Sequence, residues 1–184
     1  MFIGIYTEPI INNARYRGLY RLNVPAEYWS EKKYGQLYEM SNWYINNAID
    51  GFYFQYSKDV LNILINLSQK LQINKCPNDL IIFGDDFNSD SAQFLGYDIN
   101  GDEKYLSLIV LMISHQYNDA LFEIIFEFFD KKLNKFGLFE SEKDANLLVN
   151  LYKELTDKFA INIERVSNPK PTKIYKYVVS ESYK

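Results

Sequence analysis

The chain opens with a short run of apolar residues, Phe2-Ile3-Gly4-Ile5-Tyr6-Thr7, that stops at the turn-prone stretch Pro9 to Asn13. A brief β-branched and aromatic run bounded by turn residues predicts a strand. Apolar positions are then unevenly spaced to about Gly51, a region that reads mainly as helix. Val24-Pro25-Ala26-Glu27 puts proline where a first helical turn tolerates its missing N–H, and Tyr28, Trp29, Tyr34, Leu37, Tyr38, Trp43, Tyr44 and Ile45 can supply buried faces. Phe52-Tyr53-Phe54 after Gly51 predicts another strand. The clearest helical period follows: Ser57 caps a helix with Val60, Leu64, Leu67 and Leu71 on one face, and Asn74-Lys75-Cys76-Pro77 ends it.

Beyond that helix, Leu80 to Phe83, Gln93 to Ile99 and Tyr105 to Ile113 read as strands, the last two joined by a tight hairpin at Asn100-Gly101. Asn118 to Lys135 reads as a long helix, acidic early (Asp119, Glu123, Glu127) and basic late (Lys131, Lys132, Lys135), as the helix dipole favours. Gly137 stops it. Ser141 with Asp144 forms a capping pair for a second helix whose inward stripe is Leu148, Leu151, Tyr152, Leu155 and Phe159. Ile161 to Val166 and Lys173 to Val179 alternate as strands around Asn168-Pro169-Lys170-Pro171, the latter as a solvated edge strand. The pattern predicts an α+β fold, a mixed or antiparallel central sheet packed by several helices, including a C-terminal helical hairpin. No repeat or linker interrupts it, so residues 1–184 are expected to form a single domain.

Composition agrees that the chain folds: 47% of its residues are apolar and 17% aromatic, with 16 Tyr and 13 Phe, too much apolar surface to leave in water. Tyr also suits a half-exposed recognition surface. The lone Cys76 excludes an internal disulfide and any zinc site needing two thiolates. Met1 is followed by no basic stretch or cleavage site, and the longest apolar run is too short to span a bilayer, so a cytoplasmic protein without membrane contact is expected. Abundant Asn, Ile, Lys and Tyr with only four Arg fits an AT-rich bacterial genome.

The net charge of −4 is unevenly spread. Between Lys75 and Lys104 there is no Lys or Arg, while Asp79, Asp85, Asp86, Asp90, Asp98, Asp102 and Glu103 all fall there. Both ends of the chain are more basic.

Candidate chemistry is sparse. His115 is the only histidine, and no orienting partner stands at a diagnostic spacing, so a structural role outweighs that of a general base. Eight scattered glycines form neither a P-loop nor a dinucleotide fingerprint, leaving no positive sign of a phosphate-binding cofactor. Asp86, Asn88 and Asp90 match the first, third and fifth oxygens of a calcium loop, but Ser91 replaces the turn glycine and Tyr97 the bidentate Glu, so no metal is expected. Asp85-Asp86 is adjacency, which by itself does not separate two carboxyl pKa values. The basic, tyrosine-bearing tail from Lys170 to Tyr177 is explained by strand alternation better than by nucleic-acid binding. No enzyme and no cofactor are expected.

Cys76-Pro77-Asn78-Asp79-Leu80-Ile81-Ile82-Phe83-Gly84-Asp85-Asp86, continuing through Phe94-Leu95-Gly96-Tyr97-Asp98-Ile99-Asn100-Gly101 to Tyr105, resembles the SUKH superfamily, which includes many bacterial toxin-immunity proteins. Val24-Pro25-Ala26-Glu27-Tyr28 is similar to that family's proline-acidic-tyrosine helix start, so the likeness covers roughly residues 24–135. The chain departs from the pattern at Phe87-Asn88-Ser89-Asp90-Ser91, where a glycine-rich turn is common, and at Leu106-Ser107-Leu108-Ile109, where an aromatic-acidic-His ending is common. The resemblance implies a mixed sheet packed by helices, no cofactor, and inhibition of a cognate toxin by covering its functional surface. An acidic patch would speed encounter with a basic toxin domain. The expected partner-binding residues are Asp85, Asp86, Asp90, Asp98, Asp102 and Glu103. The alternatives are a phage or mobile-element inhibitor acting by acidic mimicry, and a metal-dependent enzyme built on Asp85, Asp86 and Asp90.

Overall fold

A computed structural model describes residues 1–7, 36–49, 53–74, 78–85, 87–101, 107–109, 120–159 and 166–179. Five strands, β1 (Phe2–Thr7), β2 (Phe54–Gln55), β3 (Asn78–Phe83), β4 (Ala92–Asn100) and β5 (Lys170–Tyr177), form one antiparallel sheet in the order β2-β1-β3-β5-β4. Among the described residues they are accompanied by the helices α1 (Gln36–Asn47), α2 (Lys58–Ile73), α3 (Ala120–Asp130) and α4 (Glu142–Phe159). The fold is α+β, as the pattern predicts. The chain divides into two units, one holding β1 to β3, α1, α2, the start of β4 and the end of β5, the other holding β4 from Leu95, α3, α4 and β5 to Ile174.

In the first unit β1 runs antiparallel to β3, from Phe2 opposite Phe83 to Thr7 opposite Asn78. Leu80, Ile81, Ile82 and Phe83 are all buried. Because successive strand residues point to opposite faces, β3 is covered on both sides, which is why it reads as a continuous apolar run rather than an alternation. On α2, Leu61, Leu64, Leu67 and Leu71 face this core, and the helix starts where expected, with the Val60 N–H donating to Ser57 Oγ at 3.2 Å. On α1, Tyr44 meets the Phe54 ring edge-on at 5.0 Å while Trp43 stacks on it at 5.2 Å. The other aromatic positions expected between Tyr28 and Tyr38, and Ile45, lie outside the residues whose side chains are described.

In the second unit Ile125 and Phe129 of α3 share a core with Ala145, Leu148, Val149 and Tyr152 of α4, and with Ile99 and Phe139. The segment joining the two helices lies against β4: Tyr97 and Phe139 exchange both backbone hydrogen bonds, at 2.8 and 2.9 Å. Gly96 permits that approach, because a Cβ there would sit 2.8 Å from the Phe139 carbonyl oxygen and the residue also has φ +143°. Asn134 fixes the turn, its amide donating to the Leu95 carbonyl at 2.7 Å and accepting from the Phe136 N–H at 2.9 Å.

Four expectations are corrected. The described part of the stretch 105–113, residues 107–109, is not a strand: Ser107 makes a single bridge with Asn100, and Leu108 and Ile109 are helical. A short apolar run suits a buried helix as well as a strand, so periodicity could not arbitrate. The tight Asn100-Gly101 hairpin is likewise absent, since the Asn100–Ser107 bridge encloses a longer loop and neither residue has positive φ. Gly101 is needed instead for close approach, as a Cβ would lie 2.7 Å from the Ser167 carbonyl oxygen. Helix α3 ends at Asp130 rather than Lys135, because Asn134 and Gly137 build the turn that returns the chain to β4. Finally, β5 is not an edge strand but lies between β3 and β4. Its Tyr175 and Tyr177 pack on the first unit's core, and Lys176 on the opposite face pairs with Asp79 at 2.6 Å. The strand expected at residues 161–166 lies outside the described residues, apart from Val166.

Candidate functional site

Asp85 and Asp90 both lie in the β3–β4 connection. Gly84, at φ +144°, turns the chain out of β3, where a Cβ would crowd Met1 at 3.2 Å. Phe87 then points back inward, its ring 5.6 Å from Tyr56 and 5.8 Å from Tyr175. Further along, the Ser91 N–H donates to Ser89 Oγ at 3.2 Å and the Ala92 N–H to the Ser89 carbonyl at 3.0 Å. The Val178 N–H donates to the Ser91 carbonyl at 2.7 Å, tying the loop to the residue after β5. The connection is therefore held by a half-buried aromatic wedge and a set of backbone bonds, while Asp85, Asn88 and Asp90 stay exposed.

Phe94 on β4 extends this surface. It is 44% exposed, large for an aromatic ring, and it rests edge-on against Tyr175 at 5.6 Å. Tyr56, Phe87, Tyr175 and Phe94 thus form a chain of ring contacts that takes in the loop's own Phe87. Rigid aromatic area next to charge suits protein recognition, because little side-chain entropy is lost on binding. The only sequence sign of this set was the overall excess of aromatic residues. No spacing marks which rings emerge.

Asp98 does not belong to this surface. Only 2% exposed, it has a carboxylate oxygen that accepts from the Ser107 hydroxyl at 2.7 Å and from the Ile99 N–H at 2.7 Å. A buried carboxylate held by internal donors positions the chain after β4 instead of meeting a partner. Asp86, Asp102 and Glu103 lie outside the described residues, as do His115 and Cys76. Among the described residues no group of three or more His, Cys, Asp or Glu could hold a metal ion. No helix among them is long and apolar enough to cross a membrane.

No family model, curated protein or solved structure matches this chain.

Elsewhere, a cleft of about 340 Å³ in the second unit is lined by Lys153, Thr156, Asp157 and Asn168 among others. Of its two hydroxyls, Tyr152's accepts the Val166 N–H at 3.3 Å, and Thr156 Oγ1 is 3.0 Å from the Tyr152 and Lys153 carbonyls and donates back into the helix. Nucleophilic chemistry needs a hydroxyl paired with a base, and the Thr156 hydroxyl is turned away from that use.

Proposed function

We propose that this chain is a non-enzymatic cytoplasmic protein of the immunity type, which neutralises a cognate bacterial toxin by covering a basic face of it. The observation that carries the proposal is the β3–β4 connection: a loop fixed by Phe87 and by the Ser91–Val178 bond that nevertheless leaves Asp85 and Asp90 exposed, with the exposed ring of Phe94 joined to Phe87 through Tyr175. Fixed carboxylates attract and orient a basic partner without an ordering cost on binding, and the aromatic ring supplies the desolvated contact that charge alone does not. The likeness to the SUKH superfamily supports the same reading. Asp86, Asp102 and Glu103 complete the proposed acidic face on sequence grounds. Asp98, being internal, is not part of it.

The test is titration calorimetry of the purified chain against the toxin domain encoded beside its gene. A saturable complex is expected, weakened at least tenfold by the double change Asp85→Lys and Asp90→Lys, mostly through a slower association rate that salt also suppresses. Phe94→Ala should weaken it by raising the dissociation rate. A folded chain that gives no heat with that domain would sink the proposal.

A further inference from the structure

A second surface, on α3, is apolar where a solvent-facing helix should be polar. Ile125, Phe126 and Phe129 are buried, yet Ile124 is 66% exposed and Phe128 60% exposed. The two stand one helical turn apart and so share a face. Among the described residues no other pair of exposed large apolar side chains has that spacing. Phe128 is supported from below by the ring of Phe129, edge-on at 5.0 Å, and by Lys132, whose ammonium lies 5.8 Å from its ring centre.

The charges beside this stripe have an order. Glu123 and Glu127, four residues apart on α3, and Lys131, the first residue past its end, are all exposed, so the stripe has acid along its helical flank and a base just beyond its C-terminal end. Among the described residues none of the three is held in an ion pair within the chain; Lys132, the neighbouring cation, is the one committed to Asp144. A like-directed second helix would set acid against acid. An oppositely directed copy sets the Glu123 end of one helix against the Lys131 end of the other, twice over, which is the self-complementarity a two-fold interface requires.

We propose that α3 is the dimerisation face of this protein: two copies associate through antiparallel α3 helices, Ile124 and Phe128 packed across the axis and Glu123 of each copy directed at Lys131 of the other. Two exposed apolar side chains per copy fall short of the ~800 Å² per partner of stable complexes, so the dimer is a weak one, with a dissociation constant on the order of tens of micromolar.

Sedimentation equilibrium of the full chain from about 5 to about 500 µM brackets that range. The wild-type chain is expected to pass from monomer to dimer. Phe128→Ser, at an exposed position, should keep the native circular dichroism spectrum and weaken dimerisation at least tenfold. The double change Glu123→Lys with Glu127→Lys makes the flank wholly basic and should also leave monomer, while adding Lys131→Glu restores an order that is self-complementary with its signs reversed and should restore the dimer. A wild-type chain that stays monomeric throughout, whether or not its α3 signals shift instead with phosphatidylcholine vesicles or an added protein, overturns the proposal. So does a Phe128→Ser chain that dimerises as well as wild type, or a triple variant no more dimeric than the double.

Discussion

Each unit buries an asparagine near the end of a strand, and the two are treated in opposite ways. In the first, Asn78 at the start of β3 is only 8% exposed and fully engaged: its Oδ1 accepts from the Ser68 hydroxyl at 2.6 Å, and its amide donates to the Ser68 carbonyl at 3.2 Å. Tyr44, 1% exposed, accepts the Ile5 N–H at 3.2 Å. In the second unit Asn100, at the end of β4, is 3% exposed, and neither its amide nitrogen nor its oxygen has a hydrogen-bond partner. The first unit's polar groups tie helix to strand in both cases. Asn100 gives up its hydration without that return, which costs about 1 to 3 kcal/mol for a group of its kind.

The largest effect that could break this contrast is expected at Asn78. Asn78→Ala strands the Ser68 hydroxyl in the core and removes the amide's bond to the helix, and should lower the unfolding free energy by about 2 to 3 kcal/mol in urea denaturation. A loss within error of zero would mean that water replaces the amide and that the pair does not hold α2 to β3. Asn100→Leu should act in the opposite direction, raising stability by about 1 kcal/mol because the desolvated amide is replaced by an apolar group of comparable size. A fall instead would show that the amide is paired in solution, and the two units would then be alike.

Tyr44 sharpens the comparison through pH. Burial pushes its phenol well above the ordinary tyrosine range, and the hydrogen bond from the Ile5 N–H opposes that only in part. The folded chain therefore keeps its proton where the unfolded chain releases it. No stability is lost on this account below pH ~10, and stability falls as pH rises beyond it. Tyr44→Phe should cost about 1 kcal/mol at neutral pH, through the orphaned Ile5 N–H, and should flatten the alkaline decline. An equally steep decline in the variant would assign it to other tyrosines.

What was legible in the chain was what local chemistry decides. Ser57 and the leucines of α2, the Ser141–Asp144 start of α4 and the apolar run of β3 each declare themselves within one or two turns of sequence. What was not legible depends on partners far along the chain. Lys173 to Val179 has the alternation of an edge strand, but its place between β3 and β4 is set by strands about 70 or more residues away in sequence. The candidate site shows the same limit. Asp85, Asp90 and Asp98 look equivalent in a charge count, yet β4 is buried on both faces from Asp98 to Asn100, which takes Asp98 inside while the loop leaves the other two in water. Phe87 and Phe94 differ in the same way: one ring turns inward and the other outward, and neither spacing nor residue type distinguishes them.

The smallest expected effect concerns the second unit's own satisfied polar cluster, at the start of α4. The Asp144 N–H donates to Ser141 Oγ at 3.1 Å, the Ser141 hydroxyl donates to Asp144 Oδ2 at 2.8 Å, and Lys132 Nζ reaches Asp144 Oδ1 at 2.6 Å. The Lys132 hydrogen bond, followed by that of Ser141, holds the Asp144 carboxyl below the usual aspartate range. Because the folded value is the lower one, the cluster contributes at neutral pH and its contribution is withdrawn as pH falls through the ordinary carboxylate range toward the depressed value. Solvent reaches this group, so the change in global stability should be slight, and the site itself is the better reporter. In an NMR titration of the Asp144 carboxyl, Lys132→Met should raise the midpoint most and Ser141→Ala less. If Lys132→Met leaves the midpoint where it was, the ammonium does not bridge to α4 in solution, and the segment between α3 and α4 is positioned by Asn134 and the Tyr97–Phe139 backbone pair alone.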